Sequence, residues 1–331
     1  MSPGDAASPG DALGSEDAAS MENIRVWLPE PPEEIGGLPD GLVADVWTGD
    51  EPLPASKDEV EVIVLPFGAR PDLIRAVASL PRLRLIQLRS AGAESVAPYV
   101  GKSVTLCNAR GAHDPATSEW VVGVIFAQSR ALPDFARSQR AGTWQRKMSR
   151  MVAGQHVLIV GYGSIGAAVE RRLQGWEVTI ERIARRARPA TDGAPEVRGM
   201  DELADALPGA DVVVLLVPVT DETRGLVDAD FLAKMKDGAL LVNAARGSIV
   251  DPDALLAALD SGRITAALDV TSPEPLPDGH PLWSAPGVLI TPHVGGMVEG
   301  GMDRAHAVVR AQLARYAKGE PLQNVIGDQG Y

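Results

Sequence analysis

Three glycines, at positions 161, 163 and 166, stand between an apolar run, VLIV, and a helix-forming run, AAVERRL. A buried strand that turns at once into a helix can do so in few ways. Gly161 permits the tight turn, Gly163 lets another group approach the main chain closely, and Gly166 lets the helix pack against the strand it has just left. The new helix points its unpaired N–H groups and positive dipole end at the turn, which makes a cradle for phosphate. On its own the pattern is short, and its plainer reading is a tight strand–helix turn. With the strand before and the helix after, it reads as a dinucleotide-binding turn. A chain built around such a unit is an α/β fold with parallel sheets.

The rest of the chain repeats that alternation twice over. NIRVWL (23–28), LVADVW (42–47), EVIVL (61–65), LRLIQL (83–88) and SVTLC (103–107) read as strands, with a crossover helix over 72–79 after Pro71. Asp114 and Pro115 signal a helix start, Asp as N-cap and Pro at the first helical position, running to about Arg130. A basic segment with Gly142 and Trp144 follows over 140–150. A second set of strands is expected at 156–160, 177–183, 210–217, 238–244, 264–270 and 288–291. A helix over 253–261 should end at Gly262, and an amphipathic helix from about Gly300 to Lys318 should close at Gly319 and cross back to the first unit.

With 331 residues there is room for two cores. The formal net charge of −13 argues against a nucleic-acid partner or an anionic membrane surface. The longest apolar run, Val212 to Val217, stops at Pro218, far short of a membrane span. Residues 1–20 carry too few apolar side chains to offset the entropy of ordering and lack the apolar core of a signal peptide, so a disordered tail is expected. Cys107 is the one cysteine, which excludes an intrachain disulfide and fits a cytoplasmic, reducing location.

The strand after the glycine turn decides which dinucleotide suits the site. An NAD site usually ends this strand in Asp or Glu, which binds the ribose 2′-hydroxyl. Here the stretch is EVTIERIARRAR, which places Ala184 at that point with Arg185, Arg186 and Arg188 beyond it. No carboxylate opposes a 2′-phosphate there, and guanidinium forks suit one, so NADP is favoured and NAD is the second choice. The plainer reading is a solvated basic loop, and Glu181 would be the acid if the strand were out of register.

Three further blocks, NAARGSIVD (243–251), ALDVTSPEPLPDGHPLW (267–283) and ITPHVGG (290–296), follow in order. Behind the glycine turn they resemble the D-2-hydroxyacid dehydrogenase family, in its NADP-preferring, glyoxylate/hydroxypyruvate reductase-like branch, and the likeness runs from about Ile24 to Ile326. The resemblance implies two Rossmann-like domains with parallel sheets. A flavodoxin-like substrate domain over 21–116 and 300–331 would flank a dinucleotide-binding domain over 117–299, behind the tail of 1–20. It implies hydride transfer between a nicotinamide and C2 of a small 2-keto or 2-hydroxy acid, and a homodimer.

The same resemblance makes Arg246, Glu274 and His293 the catalytic set. A guanidinium that stays charged suits the task of holding a carboxylate and polarising a ketone. Histidine suits proton exchange near neutral pH, and an acid on its other nitrogen would orient it and favour the protonated ring. The plainer readings are a helix-capping Arg246, an exposed loop acid at Glu274 and a satisfied interior His293. By the same resemblance Ala91, Gly92 and Ala93 hold the substrate carboxylate through backbone N–H groups. Ser164, Ile165, Ala244, Ala245, Pro218, Thr223 and Thr117 line the cofactor, and Asp269 accepts from the nicotinamide carboxamide or else caps the turn that follows it. Trp144 belongs to the dimerisation segment, reaching a neighbour's pocket or anchoring a core. No metal is expected. Glu274 departs from the formate dehydrogenase branch, where Gln stands, and the chain leaves no room for the regulatory domain of the serine-biosynthesis branch. A cofactor-sensing, corepressor-like binding protein is the rival to an enzyme.

Overall fold

The computed structural model describes residues 23–50 and 52–327; the expected tail over 1–20 lies outside the described residues. The first five apolar runs become β1 (Ile24–Leu28), β2 (Leu42–Val46), β3 (Val60–Val64), β4 (Leu85–Gln87) and β5 (Thr105–Cys107). They lie parallel in the order β2-β1-β3-β4-β5, the flavodoxin-like order. Between β3 and β4 the helix α1 (Pro71–Ala78) buries Leu73, Ile74 and Val77 against this sheet.

Helices α2 (Asp114–Ser129) and α3 (Leu132–Arg140) lead to the second sheet. Its strands are β6 (His156–Val160), β7 (Thr179–Ala184), β8 (Arg198–Gly199), β9 (Val212–Leu215), β10 (Leu240–Asn243), β11 (Thr265–Leu268) and β12 (Val288–Ile290). They are all parallel, in the order β12-β11-β10-β9-β6-β7-β8. The crossovers carry α4 (Ser164–Leu173), α5 (Leu203–Ala206), α6 (Ala229–Lys234) and α7 (Pro252–Asp260). Both faces of the sheet are covered, so its central strands are apolar at nearly every position rather than alternating. Val157, Ile159, Val212 and Val214 pack with Val121 and Ile125 of α2 and Val169 of α4, while Leu158, Val160, Val213 and Leu215 pack with Phe231 of α6 and Leu255 and Leu259 of α7.

The last helix, α8 (Gly301–Ala317), buries Val309 and Leu313 among Val26, Leu28, Val62 and Leu85 of the first sheet. At ~1.5–3 kcal/mol for each fully buried aliphatic side chain, those two contacts anchor the helix there. The chain then runs beside β5, where Ile326 N donates to Leu106 O and Asn108 N to Asn324 O. Among the described residues no helix is long and apolar enough to cross a membrane.

Two local expectations change. Helix α2 begins at Asp114 itself, with His113 in the capping position, and the Asp114 carboxylate accepts from Ser164 Oγ at 3.1 Å instead of capping. Helix α3 was not expected: Pro133 and Asp134 mark its first turn, and Leu132, Phe135 and Ala136 share one face, but none of its side chains is fully buried.

The strand order reverses between β6 and β9, and Gly161 leaves β6 at that point. Its φ is +103°, and a Cβ there would lie 2.5 Å from the backbone of Leu216 and Val217. Neither backbone atom can move without dragging the exit of β9. Gly161→Ala is therefore expected to cost about 1–3 kcal/mol. A lower urea midpoint at unchanged m-value would show it, and an unchanged midpoint would refute it.

Candidate active site

The glycine turn is tied down from the neighbouring strand, since the N–H groups of Gly161 and Tyr162 both donate to Ile183 O, at 2.9 and 3.0 Å. Gly163 precedes the first turn of α4, no side chain caps that helix, and Ser164 and Ile165 begin it. A Cβ on Gly166 would press within 3.1–3.3 Å of Gly161 O, Ile159 and the Tyr162 ring, so only glycine fits without a shift. The cradle thus suits a pyrophosphate on both counts, open N–H groups and close main-chain approach.

Strand β7 ends at Ala184. Glu181 lies inside the strand, paired with His156 Nε2 at 3.0 Å and with Arg198, and does not reach the strand end. Arg185 and Arg186 follow on the exposed side. In the 218–223 segment, Glu222 is held below the usual carboxylate range by the Thr220 hydroxyl, its own backbone N–H and the charge of Arg185. There Thr223 Oγ1 donates to Pro218 O at 2.6 Å and accepts from Thr220 N at 2.8 Å. Arg188 donates to Tyr162 O at 2.9 Å, clamping the glycine turn.

The catalytic candidates leave the carboxyl ends of adjacent strands, the usual ligand edge of an open parallel sheet. After β10, the buried Asn243 accepts from Ala245 N at 3.0 Å and donates to Arg246 O at 3.0 Å, shaping the Ala244–Arg246 turn. Arg246 then occupies the capping position of the short 3-10 turn Gly247–Ile249 without a side-chain cap bond, leaving its guanidinium for other partners. A Cβ at Gly247 would collide with the Thr271 carbonyl, so the segment bearing Glu274 lies directly on this glycine. From there Glu274 Oε1 reaches His293 Nδ1 at 2.5 Å, and both side chains are close to half exposed.

His293 has a φ of +55°, unusual for a residue with a Cβ. Asp269, just after β11, holds it so. Asp269 O accepts from His293 N at 2.7 Å, and the buried carboxylate accepts from Thr291 Oγ1, Val294 N and Gly295 N at 2.6, 2.9 and 2.8 Å. In this structure Asp269 caps the 291–295 turn. The other histidines have other occupations. His113 Nε2 meets Arg89 O at 2.9 Å, His156 meets Glu181, His280 caps a short turn, and His306 Nε2 lies 2.6 Å from Glu30. No group of three or more His, Cys, Asp or Glu among the described residues is gathered to hold a metal ion.

The Ala91–Ala93 loop comes from the first sheet, braced by Asn108 Nδ2 on Ala91 O at 2.6 Å and Ser90 Oγ on Gly92 O at 2.8 Å. The Arg246 guanidinium lies over Gly92, where a Cβ would overlap it, and its Nε donates to Glu94. Thr117 is buried and faces Gly296. Trp144 is 90% exposed, so it is no core anchor of this chain and does not join the site in this subunit. Sequence reasoning passed over Glu94, Asn108 and Asn243; only Asn243, at the end of a buried apolar strand, carried a local signal.

Residues 122–295 match the family model of the D-isomer specific 2-hydroxyacid dehydrogenases, NAD binding domain. The chain belongs to that family. It is 31% identical over 293 residues to the glycerate dehydrogenase of Methylorubrum extorquens, covering 85% of this chain and 89% of that one. It is 36% identical over 225 residues to glyoxylate/hydroxypyruvate reductase B of Citrobacter koseri, covering 65% and 69%. The crystal structure of a D-isomer specific 2-hydroxyacid dehydrogenase from Xanthobacter autotrophicus, in complex with NADPH and MES, superposes with a TM-score of 0.81 at 28% identity, covering 94% of this chain and all of that one. As a member of this family the protein is an NAD(P)-dependent oxidoreductase that transfers hydride.

Proposed function

We propose that the protein reduces a small 2-keto acid such as glyoxylate or hydroxypyruvate with NADPH, yielding the D-2-hydroxy acid. The observation that carries this is the His293–Glu274 pair standing on the same sheet edge as Arg246, whose guanidinium covers the Gly92 loop. A reduced nicotinamide dinucleotide, which the glycine turn at Gly161–Gly166 would hold, would supply the hydride. The backbone of Ala91–Ala93 and the Arg246 guanidinium hold the carboxylate, and Arg246 polarises the ketone. With Nδ1 engaged by Glu274, His293 presents Nε2 to the substrate and gives its proton to the nascent alkoxide oxygen. That ready-made acid favours turnover over a cofactor-sensing role. The proposed organisation is a substrate domain over 21–116 and 300–331 and a dinucleotide-binding domain over 117–299.

Cofactor preference rests on Ala184 at the strand end with Arg185 and Arg186 beyond it, and the Xanthobacter relative holds NADPH. NADPH is expected to exceed NADH in kcat/KM. Arg185→Ala should lower the NADPH value by ~1.5–3 kcal/mol, or about ten- to a hundredfold, and leave NADH nearly untouched. Equal values for the two cofactors in the wild type would overturn the preference.

His293 would give a proton in reduction and take one in oxidation, so both directions should depend on this imidazole. His293→Ala should lose about 10²–10⁴-fold in turnover, with NADPH affinity by fluorescence titration little changed. A folded His293→Ala protein that turns over at the wild-type rate would remove His293 from the mechanism.

A homodimer belongs to the same proposal. Trp144, Met148 and Met151 stand 90%, 95% and 74% exposed on one short segment, and large apolar side chains clustered in water mark an interface. A cytoplasmic location accords with the acidic charge and the single buried cysteine. Light scattering at micromolar concentration should give the mass of two chains; that of one chain would rule the dimer out.

A further inference from the structure

Glu94 lies 152 residues from Arg246 in the chain, on the loop that the first sheet contributes, yet its carboxylate accepts from Arg246 Nε. The guanidinium has three nitrogens. Nε is engaged by Glu94, Nη1 donates to Ala245 O at 2.7 Å, and Nη2 lies over the Gly92 backbone. Glu94 itself is set in place by its neighbour, because Ala93 is fully buried and its carbonyl accepts from both Val96 N and Ala97 N at the start of the next turn. Two of three nitrogens are therefore spoken for, by groups from both sheets, and one remains aimed at the loop proposed to hold the substrate carboxylate.

We infer that Glu94 is a positioning residue for Arg246, holding the guanidinium so that Nη2 meets the carboxylate and ketone oxygens of the substrate. The inference rests on the role proposed for Arg246. Without Glu94 the arginine keeps its anchor on Ala245 but can swing about it, and a misplacement of about 1 Å in a polarising group can cost about a hundredfold in rate. Both side chains are about one-third exposed, and ion pairs of that kind add little to stability. A purely structural role therefore predicts almost no change in turnover, and the two roles separate cleanly.

Steady-state kinetics with NADPH and glyoxylate test this in Glu94→Ala, Glu94→Gln, Arg246→Ala and the double variant Glu94→Ala/Arg246→Ala. Glu94→Ala should lower kcat about ten- to a hundredfold while NADPH affinity, titrated by fluorescence, stays unchanged, which also shows the protein folded. Glu94→Gln keeps an oxygen to accept from Nε and should recover most of kcat. In the Arg246→Ala background, Glu94→Ala should add nothing, because the two act as one unit. A lower KM with kcat intact in Glu94→Ala would mean that Glu94 competes with substrate for the arginine, and the inference falls. A full further loss in the double variant would mean that Glu94 acts elsewhere, and it falls again. Wild-type turnover in Arg246→Ala alone would overturn the role of the arginine itself, an outcome read without reference to Glu94.

Discussion

A buried carboxylate that accepts three hydrogen bonds from one turn is the constraint on which the rest of the site depends. Asp269 is 5% exposed and receives Thr291 Oγ1, Val294 N and Gly295 N, while its carbonyl receives His293 N. A residue with a Cβ held at positive φ costs about 1–3 kcal/mol. Hydrogen bonds to a charged group contribute about 1.5–3 kcal/mol each, so three of them outweigh that strain. His293 therefore stands where β11 and β12 put it, not where its own backbone preference would. With the imidazole placed, Glu274 needs only to come within reach, and the contact of Gly247 with the Thr271 carbonyl brings its segment close.

The cofactor end is stiffened in another way, from beneath the glycine turn. Tyr162 donates to Glu170 Oε2 at 2.6 Å, and Glu170 pairs with Arg182. The Glu170 carboxyl is held below its usual range chiefly by the Arg182 hydrogen bond, so it stays ionised at neutral pH and keeps the network joined. Arg182 is thereby occupied inside the fold. That leaves the residues after Ala184, not those before it, to meet whatever binds beyond the strand end. The division follows from local pairing: charges within β7 find partners on α4, β6 and β8, and Arg185 and Arg186 past its end lie on the exposed side.

Much of this was readable from residue patterns, because parallel sheets covered on both faces write themselves as apolar runs. HVLIV, the Val212–Leu215 core of its longer run and the helix closing at Gly262 all stand where the sequence puts them. Alternation gave the parallel sheets but not the order β2-β1-β3-β4-β5, which only the family resemblance implied. Helix α3 escaped because it is short and polar on balance, its apolar face amounting to Leu132, Phe135 and Ala136. The cap of α2 slipped by one residue because Asp114 found a partner in Ser164, fifty residues away, which no local signal encodes. Glu94 escaped for the same reason on a larger scale, its meaning residing wholly in a contact with another sheet.

That contact also bears on how the two sheets cooperate. The cofactor cradle, Arg246, Glu274 and His293 all hang from the second sheet, whereas the Ala91–Ala93 loop and Glu94 hang from the first. The proposed hydride transfer asks groups from both to meet one small acid with little positional tolerance. A rigid sheet can hold its own loops to that tolerance, but a junction between sheets cannot do so through the half-buried Arg246 stem alone. Engaging the guanidinium from the Ala245 carbonyl on one side and the Glu94 carboxylate on the other makes the arginine part of both units. Any shift of one sheet against the other then changes the aim of Nη2 before it disturbs the Glu274–His293 pair, which lies within the second sheet. On the proposed roles, polarisation of the substrate is the step most sensitive to the relative placement of the two sheets, and proton delivery the least.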